Sequence, residues 1–293
     1  MTSAGAAGRA DTDLPRLAYL GSPELSVPPL RALVAAGFPV EIVVTNPDRR
    51  RGRGGSTTPT PVKAAATELG LPVTHEVDTV LGAGLDLGVV VAFGQIIRPH
   101  VLAELAMVNL HFSLLPRWRG AAPVERAVLA GDAVTGVDLM DVAEGLDTGG
   151  IRARAELEIG DDETVDELRG RLVEAGTELL VTVLRDGLPP ARPQDGTPTY
   201  ADKITADDLH IDWDAPTEHI HRQVRVGGAW TTWDGERFKV WRTARPVTGD
   251  GIVHPTGDGE IELLEVQPAG KSRMDAAAWA NGARWTADDR LGT

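Results

Sequence analysis

The sequence predicts an α/β chain: a mostly parallel sheet up to residue 187 and a small barrel of short strands after residue 203. Three observations predict it. Arg16–Leu20 and Val40–Thr45 read as apolar strands with a helical stretch between them, which is a β-α-β unit. Val40–Thr45 and Leu85–Phe93 are continuous rather than alternating apolar runs, as expected of strands covered on both faces. Beyond residue 203 the pattern changes to short strand-like runs separated by glycine turns, the mark of a barrel or sandwich.

The elements follow in order. Met1 to Pro15 is small, polar and acidic. It lacks the basic start and apolar centre of a secretory signal and is expected to be a disordered leader. The first strand ends at Gly21-Ser22-Pro23. Pro28-Pro29 open a helix over Leu30–Ala36, and Gly37 stops it. The loop after the first strand holds only Gly21, not G-x-G-x-x-G, which disfavours a nicotinamide enzyme. Residues 46–59 form a loop rich in Arg, Gly, Ser and Thr. Thr60-Pro61 then caps a helix running to Leu69, and Pro72–His75 is a short strand. Leu85–Phe93 ends at Gly94-Gln95-Ile96-Ile97, where glycine lets a backbone approach a ligand. Ligands of open α/β sheets sit outside the carboxyl ends of strands, so this turn belongs beside the one after Met107–Leu110 if the two strands are neighbours.

A short helix over Arg98–Ala106 leads to Met107, and Pro123–Ala130 is a helix burying Val124, Ala127 and Val128. Thr135–Val142 is a strand with Val137 and Leu139 alternating against Asp138 and Met140. Ile151–Ile159 is a half-exposed strand. Glu163–Asp186 is a long amphipathic helix with Val165, Leu168, Leu172, Leu179, Val183 and Leu184 as its apolar stripe. Leu188–Ala201 is Pro-rich and polar and reads as a linker. After it come a helix over Thr217–Val226 and strand-like runs at Ala229–Trp233, Arg237–Thr243, Ile252–His254 and Ile261–Val266.

Composition narrows the chemistry. The chain has 293 residues, a length that suggests about two domains. It has no cysteine, so disulfides, thiolate metal sites and a cysteine nucleophile are excluded. There is no apolar run of roughly 18 residues that could span a bilayer. The net charge of −14 makes the chain a poor general binder of polyanions. Such a partner has to meet a local basic patch, and Arg49, Arg50, Arg51 and Arg53 supply one. That run is a solvated surface loop or a phosphate-contacting one.

The candidate site is Asn109-Leu110-His111 at the end of a strand, where residues two apart share a face. A lone strand histidine is more often structural than catalytic. Here a second polar loop follows, Glu144-Gly145-Leu146-Asp147-Thr148-Gly149-Gly150. An acid can hold an imidazole in one tautomer and stabilise its protonated form, and an amide beside an imidazolium makes an oxyanion hole. Asn109, His111 and Asp147 therefore suit acyl transfer to an acceptor that is itself nucleophilic, although Asp147 could equally be a turn former. His219 and His221, two apart on a helix, are a poor metal pair. The Trp residues of the C-terminal third read first as packing.

Asn109-Leu110-His111-Phe112-Ser113-Leu114-Leu115-Pro116, then Arg117-Trp118-Arg119-Gly120-Ala121-Ala122-Pro123, then Gly145-Leu146-Asp147-Thr148-Gly149, resemble the signature of the folate-dependent formyltransferases. Further segments resemble the branch whose acceptor is initiator methionyl-tRNA: Gly21-Ser22-Pro23, Asn46-Pro47-Asp48-Arg49, Gly52-Arg53-Gly54, Thr60-Pro61-Val62-Lys63, Gly94-Gln95-Ile96 and Leu263–Lys271. The likeness runs from about residue 16 to 285.

The resemblance implies a Rossmann-like formyltransferase domain over 16–187, a linker over 188–203 and an oligonucleotide-binding-like barrel over 204–293. It implies Asn109, His111 and Asp147 as catalytic residues, 10-formyltetrahydrofolate as formyl donor, and no metal. Ser113, Leu114, Leu115 and Pro116, with Gly94, Gln95 and Ile96, would contact the folate. Arg49, Arg50, Arg51 and Arg53 would enter the tRNA acceptor arm, with Lys271 and Arg273 as a second tRNA contact. A cytoplasmic monomer is expected. The chain departs from the family in having Phe112 after the histidine, Val226-Gly227-Gly228-Ala229-Trp230 where Asn-Pro-Trp-Pro is usual, and a shorter 247–256 region. Two other functions share part of this pattern: a formyltransferase acting on a small amine, such as an amino sugar nucleotide or glycinamide ribonucleotide, and a non-catalytic nucleic-acid binder built on the barrel.

Overall fold

A computed structural model describes residues 14–50, 57–286 and 289–292. The expected leader up to residue 13, and Arg51 and Arg53, lie outside the described residues. In chain order the elements are β1 (Leu17–Gly21), α1 (Val27–Ala35), β2 (Val40–Val44), β3 (Arg49–Arg50), β4 (Thr57–Thr58), α2 (Pro61–Glu68), β5 (Val73–Thr74), β6 (Leu87–Val91), α3 (Pro99–Glu104) and β7 (Met107–His111). There follow β8 (Arg119–Gly120), α4 (Pro123–Ala130), β9 (Val134–Asp141), β10 (Ile151–Glu158), α5 (Val165–Asp186), β11 (Tyr200–Ala201), α6 (Thr217–Val226), β12 (Trp230–Trp233), β13 (Glu236–Ala244), β14 (Ile252–Pro255), β15 (Glu260–Gln267), β16 (Met274–Asp275) and α7 (Ala276–Ala283). They gather into two compact units. One holds residues up to 116, 136–155 and 172–197; the other holds 117–135, 156–171 and 198–293.

The first unit is built on a sheet of order β10-β9-β7-β6-β1-β2-β5. Its five strands from β5 to β7 pair in parallel, and β9 runs antiparallel to β7. Strand order reverses direction at β1 and β6, so the crevice outside their carboxyl ends is the expected ligand position in such a sheet. Every residue of β1 and β6 is buried, which is why those runs lack polar alternation. Beneath them lies a core of Ala18, Leu20, Val44, Val90, Phe93, Val101 and Met107. Thr60 caps α2 as its sequence suggests, its hydroxyl accepting from the Lys63 amide at 3.1 Å. The expected loop at 46–59 carries a short ladder, Arg49–Arg50 against Thr57–Thr58.

Two patterns differ from the sequence reading. In β9 the expected polar face is absent: Asp138 and Met140 are buried along with Val137 and Leu139, because the strand is interior, between β7 and β10. In α5 the buried stripe is Val165, Leu168, Leu172, Val173, Leu180 and Leu184, while Leu179 and Val183 are half-exposed. Gly176 lies on the buried line as well, because a Cβ there would sit 3.0 Å from Val137.

The second unit closes on a five-stranded antiparallel half-barrel of order β12-β13-β15-β14, with β16 on β15. Ile220 and Val224 of α6, Phe238 and Val240 of β13, Ile261, Leu263 and Val266 of β15, and Trp279 of α7 fill its core. Trp233, Trp279 and Trp285 cluster there, with ring centroids 5.1 to 5.6 Å apart. Helix α7 was not expected; its N-cap is Asp275, whose carboxylate accepts from the Ala278 amide at 2.9 Å. Gly227 and Gly228, both at positive φ (93° and 84°), turn the chain from α6 into β12. His221, Gln223 and Arg225 of α6 are buried. Arg225 donates to the carbonyls of Gly160 and Glu163 at 2.7 and 2.8 Å, a polar attachment that hydrophobic periodicity does not reveal.

Candidate active site

β7 lies between β6 and β9, so its carboxyl end emerges beside Phe93 and Gly94, the neighbourhood expected from the sequence. In the ladder with β9, Asn109 is opposite Met140 and His111 is opposite Asp138. Asn109 and His111 share one face of the strand. Asn109 is half-buried, and His111 is 5% exposed. The third expected residue comes from the loop after β9. Asp147 places its Oδ2 3.7 Å from Nδ1 of His111. This separation is longer than a direct hydrogen bond. Apo contacts of this kind commonly tighten on substrate binding.

The Asp147 loop is shaped by its glycines and by one strained residue. Asp147 itself is left-handed, with φ at 49°, a region that non-glycine residues enter at a cost and Asp more readily than most. The Thr148 hydroxyl donates to the Gly145 carbonyl at 3.2 Å, closing the turn. At Gly149 a Cβ would fall 1.8 Å from the Asp141 carbonyl oxygen, so that position accepts no side chain. Gln194 was not predicted. Its Nε2 donates to the carbonyls of Asp147 and Gly149 at 2.8 and 2.9 Å.

The segment expected to touch folate, Ser113 to Pro116, follows His111 directly. Ser113 and Leu115 are buried, and the Leu115–Pro116 peptide is cis. A second group missed by the sequence reading holds this segment. The Asp138 carboxylate, fully buried, accepts from the Leu115 amide at 2.8 Å and from Arg154 Nε and Nη2 at 2.7 Å each. Arg154 Nη2 also donates to the Leu115 carbonyl at 2.8 Å. A charge on an otherwise apolar strand is the available signal, and alternation alone does not say that Asp138 is buried.

The other expected folate residues lie at the end of β6. Gly94 is at positive φ (75°), and Ile96 is 90% exposed. Gln95 donates to Asn46 Oδ1 at 2.8 Å, and the Asn46 amide in turn donates to Ser22 Oγ at 2.8 Å and to the Phe93 carbonyl at 2.9 Å. Asn46 thus ties the turns after β1, β2 and β6 together just ahead of the arginine loop. The structure brings His111 and Asp147 into contact and places Asn109 on the same strand face as His111.

In the second unit, Asp132 accepts from Arg117 Nε at 2.8 Å and from Trp118 Nε1 at 2.7 Å. That bond holds the Arg117 guanidinium pKa above its usual value. Lys271 is exposed, and Arg273 lies over the Trp241 ring at 3.3 Å from its centroid. Among the described residues no group of three or more His, Asp or Glu is placed to hold a metal, and no helix is long and apolar enough to cross a membrane.

Two family models match the chain: formyl transferase over residues 26–184, and formyl transferase, C-terminal domain, over residues 203–284. The chain is 40% identical to the methionyl-tRNA formyltransferase of Heliobacterium modesticaldum, across 92% of this chain and 97% of that protein. It is 42% identical to that of Jannaschia sp., across 92% and 97%. Among solved structures it is similar to methionyl-tRNA formyltransferase from Clostridium thermocellum, with a TM-score of 0.60 at 16% identity, covering 88% of this chain and all of that one. It is also similar to HypX from Aquifex aeolicus in complex with tetrahydrofolic acid, with a TM-score of 0.64 at 15% identity, covering 92% of this chain and 47% of that one. At such identities the structural likeness is one of fold.

Proposed function

The chain belongs to the methionyl-tRNA formyltransferase family, and on that premise we propose that it transfers the formyl group of 10-formyltetrahydrofolate to the free amine of methionine on initiator methionyl-tRNA. The observation that carries the reading within the molecule is the pairing of His111 with Asp147, 3.7 Å apart, at a strand end that also bears Asn109.

In the reaction the methionine nitrogen attacks the formyl carbon and a C–N bond forms. The bond from that carbon to the folate nitrogen then breaks. The amine gives up one proton and the departing tetrahydrofolate nitrogen gains one. The Asn109 side-chain N–H and the Nε2–H of protonated His111 hold the negative oxygen that develops between these steps. Asp147, on the Nδ1 side, stabilises the imidazolium and takes part in the proton transfer.

Ser113, Leu114, Leu115 and Pro116, with Gly94, Gln95 and Ile96, are assigned to the folate. Arg49, Arg50, Arg51 and Arg53, with Lys271 and Arg273, are assigned to the tRNA, which resolves how so acidic a chain can bind a polyanion. In this reading residues 16–187 form the catalytic domain, 188–203 the connection and 204–293 the tRNA-binding domain of a cytoplasmic monomer.

The test is formyl transfer from 10-formyltetrahydrofolate to charged initiator tRNA, with amino sugar nucleotides and glycinamide ribonucleotide as control acceptors. Transfer to tRNA alone supports the assignment. Transfer to a small amine but not tRNA replaces the acceptor, and RNA binding without transfer removes the enzyme reading altogether.

A further inference from the structure

We propose that Gln194 is a positioning residue for the reaction: its side-chain amide sets the loop that presents the Asp147 carboxylate to His111. The inference rests on the catalytic reading of Asp147. Three observations carry it. The loop from Ala143 to Thr148 is largely exposed, and Asp147 in it holds a strained left-handed backbone. Such a conformation persists only where its surroundings over-determine it. Gln194 supplies two of the constraints through one nitrogen, donating to the carbonyl of Asp147 itself and to that of Gly149, at 2.8 and 2.9 Å. The two bonds bracket the residue whose carboxylate reaches His111.

Gln194 is itself held from behind. Ile151 and Arg192 exchange paired backbone hydrogen bonds at 2.8 and 2.9 Å, and Arg152 donates to the Pro189 carbonyl at 2.8 Å. Gly150 allows this close approach, since a Cβ there would lie 2.9 Å from that of Ala191. The segment that composition marks as a linker is therefore laid along β10 and delivers an amide to the site.

A catalytic group displaced by about 1 Å can lose on the order of 100-fold in rate. Gln194→Ala and Gln194→Leu should each lower kcat about 10- to 100-fold, with KM for folate and for tRNA within about twofold and thermal unfolding little changed. In an Asp147→Asn background the Gln194→Leu change should cost almost nothing more, because the group it positions is gone. Gln194→Glu keeps the shape but turns a carboxylate toward two carbonyls. Its rate relative to the wild type should recover as pH falls and the carboxyl gains a proton to donate. Full kcat in both neutral variants of a folded protein, a loss seen only in KM, or full additivity with Asp147→Asn would each overturn the proposal. If the neutral variants fail to fold, the pH profile of Gln194→Glu decides, and a flat ratio counts against it. If Asp147→Asn alone keeps full turnover, the catalytic reading fails first and the proposal falls with it.

Discussion

Nδ1 of His111 and Oδ2 of Asp147 stand 3.7 Å apart, one at the end of a buried strand and the other in an exposed acidic loop 36 residues later in sequence (147 minus 111). With the pair acting as a unit, His111→Ala and Asp147→Asn should each reduce kcat by about 10²- to 10⁴-fold while the circular dichroism spectrum stays native. The double variant should be little worse than the more damaging single one. Single-turnover formylation assays decide this, and independent additive losses would uncouple the two residues.

Asn109 is expected to act on the developing oxyanion alone. Asn109→Ala should cost about 10²- to 10³-fold in kcat with little change in KM, the size of a lost oxyanion donor. A loss confined to KM for folate would make it a binding residue.

Asp138 and Arg154 support the segment after His111 rather than the chemistry. Arg154→Leu strands a fully buried carboxylate and removes a donor to Leu115. Because Arg154 is itself a third exposed, the loss should be about 2 kcal/mol, smaller than for a fully buried pair. Urea denaturation reads the stability, and a rise in KM for 10-formyltetrahydrofolate reads the displaced segment.

Gly149→Ala would drive a methyl into the Asp141 carbonyl oxygen, 1.8 Å away on the existing backbone. The loop has to shift, so turnover should fall by about 100-fold or more while the rest of the fold survives. Retained activity would show that the loop tolerates a different path.

The half-barrel carries its own acid sensitivity. His254 is buried against Trp213, with ring centroids 3.8 Å apart. Its Nδ1–H donates to the Pro255 carbonyl at 2.7 Å, and its Nε2 accepts from the Leu291 amide at 3.1 Å. Burial pushes its pKa down to about 4, and protonating Nε2 would break the Leu291 bond. Between about pH 6.5 and 4 the unfolded chain binds a proton that the folded chain refuses. Stability is therefore fully present above pH 6.5 and is lost as pH falls toward 4, by at most on the order of 3 kcal/mol. His221, also depressed by burial, adds to the same slope. Urea midpoints across this range should fall less steeply in His254→Gln than in the wild type, and equal slopes would refute the assignment.

The sequence by itself determined the fold class and most elements to within a few residues, and it put forward Asn109, His111 and Asp147 as the candidate triad. Those depend on local signals. Continuous apolar runs mark buried parallel strands, Thr60-Pro61 marks a helix start, and Asn109, His111 and the glycines around Asp147 form short motifs whose residues are neighbours along the chain. Only the tertiary structure decided what holds those residues in place. Asp138 looked outward because strand alternation assumes one wet face, and β9 has none. Helix α7, rich in alanine and without a strong amphipathic stripe, offered little periodicity to read. Gln194 lies 47 residues from the carbonyl it holds, in a stretch whose prolines and polar residues describe a tether. A hydrogen bond across that distance leaves no period and no motif in the sequence, since its geometry exists only once β10 and the following segment lie side by side.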